Sequence, residues 1–144
     1  KFSDIIFMSR LINGTYPNAS ALIPTEFMLK VKAKRVDFYN SIDRASLLTN
    51  EYEKHIIKLE LKDNEITISS NIQEIGKVEE KLSVEKNNEN NIIISFSAKY
   101  MLEALKSMDA EFVELLFNGD LKPIIIRNEK DESLTQLILP IRTY

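Results

Sequence analysis

The spacing of the apolar residues changes along this chain in the same order twice, and this order restricts the possible folds. In the first half, alternation over residues 27–33 predicts a half-buried strand. Helical spacing follows over residues 37–48, with Asp37 as an N-terminal cap. Alternation then returns, and it predicts three strands at residues 56–61, 65–69 and 78–84, the first two forming a hairpin around Asp63-Asn64.

The second half predicts the same elements from different residues. An apolar strand at 92–96 precedes Ser97, which can cap a helix over residues 98–108 with one apolar stripe. Three strands are predicted after it, at residues 112–117, 124–127 and 134–141, with Asn118-Gly119 as a hairpin turn. The expected fold class is therefore α+β: a duplicated strand–helix–three-strand unit with two helices packed on antiparallel sheet.

The first 24 residues do not fit either unit. An apolar run at residues 5–8 is typical of a strand, and residues 10–24 form a connector with turn signals at Asn13-Gly14 and Pro17-Asn18. A single strand cannot bury itself, and the chain starts on Lys1 without an initiator Met. We expect this chain to be part of a longer protein.

Composition narrows the function classes. The chain has no cysteine, which excludes disulfides and thiolate metal sites. A net charge of −3 argues against a broad basic surface for nucleic acid. We predict no membrane association, because no apolar run approaches the length needed to span a bilayer.

Residues that could support enzyme chemistry are few. His55 is the only histidine, and it has no cysteine with which to share a metal. Asp109, Glu111 and Glu114 could be imagined as metal ligands, but acidic side chains beside a turn are usually solvent-exposed. We predict a protein that is not an enzyme and has no catalytic residue, metal or cofactor.

Four segments resemble the bacterial DNA sliding clamp, the beta subunit of DNA polymerase III. Residues 9–17 (SRLINGTYP), followed by 22–24 (LIP), are similar to that family's junction between its second and third domains. Residues 37–48 and 96–105 are similar to the two helices of the third domain, and residues 136–144 to the terminus. The resemblance implies a DNA-clamp domain at residues 25–144, preceded by the C-terminal end of the second clamp domain at residues 1–24.

The resemblance also implies function and partners. Sliding clamps are processivity factors that encircle duplex DNA without reading its sequence. They tether polymerase, clamp loader and repair proteins through linear motifs. We expect a cytoplasmic protein that is a homodimeric ring at full length, with this fragment alone monomeric. The alternative is a stand-alone peptide-binding adaptor domain that does not associate with DNA.

The docking site of the family is a hydrophobic cleft partly built by the last residues of the chain. Leu137, Leu139 and Ile141 have an alternative role as the core face of a last strand. Pro140 and Arg142 fit a terminal site better, because proline cannot donate to a strand ladder. The family often carries a basic residue where Ala21 stands here. The residues that the resemblance assigns to this cleft are Pro17, Leu22, Tyr100, Leu121, Pro123, Leu137, Leu139, Pro140, Ile141 and Arg142.

Two further groups follow from the resemblance. Leu47 and Leu48, with Glu79 and Glu80 on a nearby strand, match positions at the ring's subunit interface, although a leucine there is equally typical of a core. The residues expected to face DNA are Arg44, Lys99 and Lys106, for which simple solvation is the competing interpretation.

Overall fold

Two antiparallel sheets and two helices form the part of the chain that the structure describes, which is residues 4–15, 18–47, 49, 55–72, 76–131 and 133–142 of a computed structural model. A short 3-10 helix, Ala19–Leu22, precedes them. The elements are β1 (Leu29–Lys34), α1 (Arg35–Ser46), β2 (Ile56–Lys62), β3 (Glu65–Ile72), β4 (Gly76–Ser83), β5 (Glu85–Lys86), β6 (Ile92–Ser97), α2 (Ala98–Lys106), β7 (Phe112–Phe117), β8 (Ile124–Asn128) and β9 (Thr135–Ile138). The duplicated order predicted from the sequence is confirmed, with β5 as an addition.

The two units exchange their first strands. One sheet has the order β4-β3-β2-β6, so three strands of the first unit are completed by the first strand of the second. The other sheet, β5-β1-β7-β8-β9, is completed in the same way by β1 of the first unit. The exchanged strands pair antiparallel, β6 with β2 and β1 with β7. Neither unit therefore builds a sheet from its own residues alone.

One apolar core joins both sheets and both helices. In β1, Leu29, Val31 and Ala33 are buried while the lysines between them face outward, which is the alternation expected of a half-buried strand. Both helices bury a stripe at helical spacing, for example Phe38 and Ile42 on α1. The α+β fold class is confirmed, although the helices share a core with two sheets.

The start of α1 differs from the prediction, and the expected cap is wrong. The helix begins at Arg35, and Asp37 lies in its first turn, where a carboxylate interacts favourably with the helix dipole. Neither Lys34 before α1 nor Ser97 before α2 makes a side-chain cap hydrogen bond. Instead, Arg35 Nε donates to the Ala110 carbonyl at 2.7 Å, which ties the start of α1 to the connection after α2.

The connection between β7 and β8 contains the predicted turn residues Asn118-Gly119 and has the length that the predicted strand bounds leave for it. It spans residues 118–123, with Gly119 at φ +116°, a conformation that favours glycine. Asn118 Nδ2 donates to the Glu26 carbonyl at 2.7 Å, and the Met28 amide donates to Asn118 Oδ1 at 2.8 Å. These bonds fix the connection against the segment that enters β1.

The strand predicted at residues 5–8 is not formed. Ile5 makes an isolated bridge, and Ile6, Phe7 and Met8 are exposed and have no regular structure. The physical reason is the one anticipated from the sequence: an isolated strand has no sheet into which to bury its apolar side chains.

Candidate functional site

In the last strand, the residue that enters the core is Ile138, and not Leu137 or Leu139 as the core interpretation expects. Ile138 is only 6% exposed and pairs with buried Ile124, so it is the residue of β9 that enters the core. Leu139 follows it and is 67% exposed. Leu137 is half-buried on the opposite face, in register with Ile125. The alternative that Leu137 and Leu139 form the core face is therefore wrong.

Beyond β9, the terminal segment leaves its own sheet and reaches the other one. The Ile141 amide donates to the Ser95 carbonyl of β6 at 2.7 Å. Pro140 and Ile141 are half-buried, whereas Arg142 is exposed. This hydrogen bond holds the terminal segment across the gap between the edges of the two sheets.

Part of the predicted cleft is gathered beside this segment. Leu121, from the β7–β8 connection, shares a groove of about 410 Å³ with Ile141 and Arg142. The groove is completed by Asp120 and by residues 93–95 of β6, among them Ile93, which is 52% exposed. Sequence reasoning missed Ile93 because residues 92–96 form a wholly apolar or small run, although alternation alone would have placed Ile93 opposite Ile92 and Ile94.

The remaining cleft candidates do not line this groove. Leu22 at the end of the 3-10 helix and Tyr100 on α2 are exposed, and Pro123 is half-buried. Pro17 lies outside the described residues. Of the predicted cleft residues, the groove therefore brings together Leu121, Ile141 and Arg142 only.

Of the residues predicted at a subunit interface, the two glutamates lie at the outer edge of the other sheet. Leu47 follows α1 and is 76% exposed, while Leu48 lies outside the described residues. Glu79 and Glu80 lie on β4, the edge strand of the four-stranded sheet. Both carboxylates have cationic partners: Lys77 Nζ donates to Glu79 at 2.6 Å, and Arg44 Nη2 donates to Glu80 at 2.7 Å.

These hydrogen bonds shift the titration of the groups involved. The bond from Arg44 lowers the pKa of the Glu80 carboxyl below its usual value, and the bond from Lys77 does the same to the pKa of Glu79. The pKa of Arg44 is raised in return by its bond to Glu80. The charged forms of Glu79, Glu80 and Arg44 are therefore favoured, and β4 carries ion-paired side chains along the edge of its sheet.

The three candidate DNA-facing cations differ in their surroundings. Arg44 is neutralised by Glu80, which leaves it less available to a phosphate. Lys106 Nζ lies 5.6 Å from the centre of the Tyr39 ring, a favourable cation–π position. Lys99 is exposed, and no ion pair to it occurs within the described ranges.

The residues considered for enzyme chemistry either make structural contacts or do not cluster into a metal site among the described residues. His55 Nδ1 is 3.0 Å from Thr49 Oγ1, and the His55 carbonyl accepts from the Ala98 amide at the start of α2. Glu114 is paired with Arg127 at 2.8 Å. Among the described residues no group of three or more His, Cys, Asp or Glu side chains could hold a metal ion.

Within the same residues, none of the helices combines the length and apolar character of a membrane span.

The family described as "DNA polymerase III beta subunit, C-terminal domain" matches residues 20–142. The chain belongs to this family. The beta sliding clamp of Staphylococcus epidermidis is 43% identical over 144 residues, covering 100% of this chain and 38% of the clamp. For the beta sliding clamp of Staphylococcus aureus the identity is 42% over the same share.

Solved clamps of the beta subunit family share the fold. The DNA polymerase sliding clamp of Bacillus subtilis is 42% identical with a TM-score of 0.86, and the match covers 94% of this chain and 36% of that one. The DNA polymerase III beta chain of Streptococcus pneumoniae is 32% identical with a TM-score of 0.85, over 94% and 36% of the two chains. The chain thus spans little more than a third of the length of its clamp relatives.

Proposed function

We propose that this chain is the C-terminal domain of a DNA sliding clamp. Residues 25–144 are the third domain, and residues 1–24 are the C-terminal end of the second. The full-length protein is a cytoplasmic, non-catalytic, homodimeric ring that encircles duplex DNA and tethers the polymerase. The match of residues 20–142 to the C-terminal domain of the family supports this assignment.

The observation that carries the proposal is the phase of the last strand. Ile138 takes the core position, so Leu139 has no packing role that would account for a large exposed leucine. It stands beside half-buried Pro140 and Ile141, next to a groove. Apolar anchors of this kind bind short peptide segments, because a few well-buried contacts supply most of the affinity.

Tethering explains why such a protein needs no chemistry of its own. A polymerase docked on a ring around DNA stays near the primer end, so rebinding becomes an intramolecular event at high effective concentration. The ring must also slide, which requires weak contacts to phosphate without sequence preference. A few exposed cations such as Lys99 and Lys106 suit this task better than a strongly basic surface.

The surface around β4 and the end of α1 is the proposed subunit interface. Leu47 supplies an exposed apolar contact, Leu48 is its neighbour in sequence, and Glu79 and Glu80 supply paired charges. The partner surface belongs to a first domain that this chain does not contain, so the isolated chain is expected to be a monomer that cannot close around DNA.

The test is a substitution in the docking surface. Leu139→Glu should weaken binding of a synthetic peptide from the C-terminal tail of a replicative polymerase by about tenfold or more, measured by fluorescence anisotropy on the full-length subunit. Leu134→Glu is the matched control, because Leu134 is also an exposed leucine but precedes β9. Both variants should melt close to the unsubstituted protein. A Leu139→Glu variant that is folded and binds the peptide normally would refute the docking site.

A further inference from the structure

Strand β6 is covered on its outer face along only part of its length. Ile92, Ile94 and Phe96 enter the core, so Ile93, Ser95 and Ser97 face the other way. Ser95 and Ser97 are nevertheless buried, at 8% and 7% exposure. Ile93, two residues earlier on the same face, remains exposed. The cover over this face therefore ends between Ser95 and Ile93.

Ile93 faces a recess that other apolar side chains share. The groove of about 410 Å³ lies between Ile93, exposed Leu121 and half-buried Ile141. Arg142 and Asp120 line it as the polar members. The recess thus has apolar walls and charged groups beside them, which suits a peptide side chain.

Among the residues that the structure describes, only β2 pairs with the backbone of Ile93, which lies next to this recess. β6 is the last strand of its sheet, and the Ser95 carbonyl accepts from the Ile141 amide on the open side. Alternate residues of a strand direct their amide and carbonyl groups to the same side, so those of Ile93 face the open side too. An extended segment lying there would continue the pairing that the terminal segment begins at Ser95.

We propose that Ile93 forms an extension of the docking cleft. A peptide held at the cleft adds its flanking residues to β6 as a strand and places one apolar side chain between Ile93 and Leu121. This inference rests on the proposed docking function. The occupant is the flank of the docked peptide because the recess shares Leu121, Ile141 and Arg142 with the cleft, so one continuous segment reaches both.

The experiment compares peptides that differ only in their flanks, on the full-length subunit. The short probe is the docking tail of the polymerase; two longer probes add an alternating valine–threonine segment before or after it. A fourth probe replaces that added segment with prolines, which have no amide to donate. At least one valine–threonine probe should bind about fivefold more tightly than the short one.

Substitution then tests whether Ile93 causes the gain in affinity of the longer probe. Ile93→Ser should abolish the gain, so that the longer and the short probes bind the variant with equal affinity, and the proline probe should show no gain on either protein. Val36→Ser on α1 is the control, because Val36 is also an exposed β-branched residue. Equal affinities for short and long probes, or a gain that survives Ile93→Ser, would overturn the extension alone. Failure of every probe to bind would instead overturn the docking function and the extension with it.

Discussion

Directly after the edge strand β9 the exposed side chain is the apolar Leu139, whereas on the edge strand β4 the exposed charged side chains are ion-paired. Leu139 follows β9 in the sequence, between buried Ile138 and half-buried Pro140. On β4, Lys77, Glu79, Glu80 and Lys81 are all held in ion pairs. Charged edges resist indiscriminate strand pairing, while exposed apolar residues invite contact. The difference indicates that the region after β9 is suited to apolar contacts, whereas the β4 edge is suited to contacts between charged groups.

Truncating the core residue of β9 should give the largest effect on stability. Ile138→Ala should lower the free energy of unfolding by about 3 kcal/mol, because it removes buried methyl groups and leaves a cavity. Leu139→Ala should change it by less than about 0.5 kcal/mol, since that side chain is already in water. Urea unfolding of both variants checks the pair. A larger loss from Leu139→Ala would show that the assigned phase of β9 is incorrect.

Removing a buried hydrogen bond near the charged β4 edge should lower the free energy of unfolding by less than the Ile138 substitution does. Ser70 Oγ on β3 donates to the Ala45 carbonyl at 2.7 Å, close to the end of α1 that carries Leu47. Ser70→Ala leaves this carbonyl without its partner and should cost about 1–2 kcal/mol of unfolding free energy. Ser69→Ala, on the neighbouring half-buried residue, is the control and should stay within about 0.5 kcal/mol. Equal losses in the two variants would argue against a specific role for the Ser70 hydroxyl.

The paired charges of β4 should give the smallest effect, visible through its pH dependence. The pKa of Glu80 is lowered in the folded protein by the bond from Arg44, so its contribution is present above the unfolded pKa and is lost as pH falls through the folded pKa. Glu80→Gln should therefore reduce the urea midpoint slightly near neutral pH, and the difference should vanish in acid.

The control for this pH dependence is Glu60→Gln on β2. Lys58 Nζ lies 3.5 Å from the Glu60 carboxylate, a longer separation than that between Arg44 and Glu80. Glu60→Gln should accordingly lower the urea midpoint near neutral pH by less than Glu80→Gln does. A difference for Glu80→Gln that grows as the pH falls would contradict the sign derived from the lowered pKa.

Local patterns in the sequence were enough to predict the order of the elements within the two duplicated units, apart from the short β5. The alternation in β1 and the hairpin of β2 and β3 depend on neighbouring residues, and both were predicted correctly. The exchange of β1 and β6 between the sheets was not predicted, because it depends on pairing between distant segments that no local period encodes. The start of α1 at Arg35 was not predicted for a similar reason. Arg35 donates to the carbonyl of Ala110, which lies 75 residues away in the sequence.

In the candidate site, too, the sequence identified the residues, but pairing between distant segments decided how they are placed. The terminal residues were identified by resemblance, but the choice between core and surface for Leu139 needed the register of β9 against β8. The pairing of Arg44 with Glu80 joins side chains 36 residues apart, and it connects a predicted DNA-facing cation to a predicted interface carboxylate. The assignments of individual residues to peptide, subunit and DNA contacts stay predictions.

The exchange of first strands has a consequence for how this architecture can exist at all. A lone unit of this design would lack one strand and could obtain it only from another copy, as a dimer whose stability falls on dilution. Joining two units in one chain supplies each missing strand internally, so the fold no longer depends on how much protein is present.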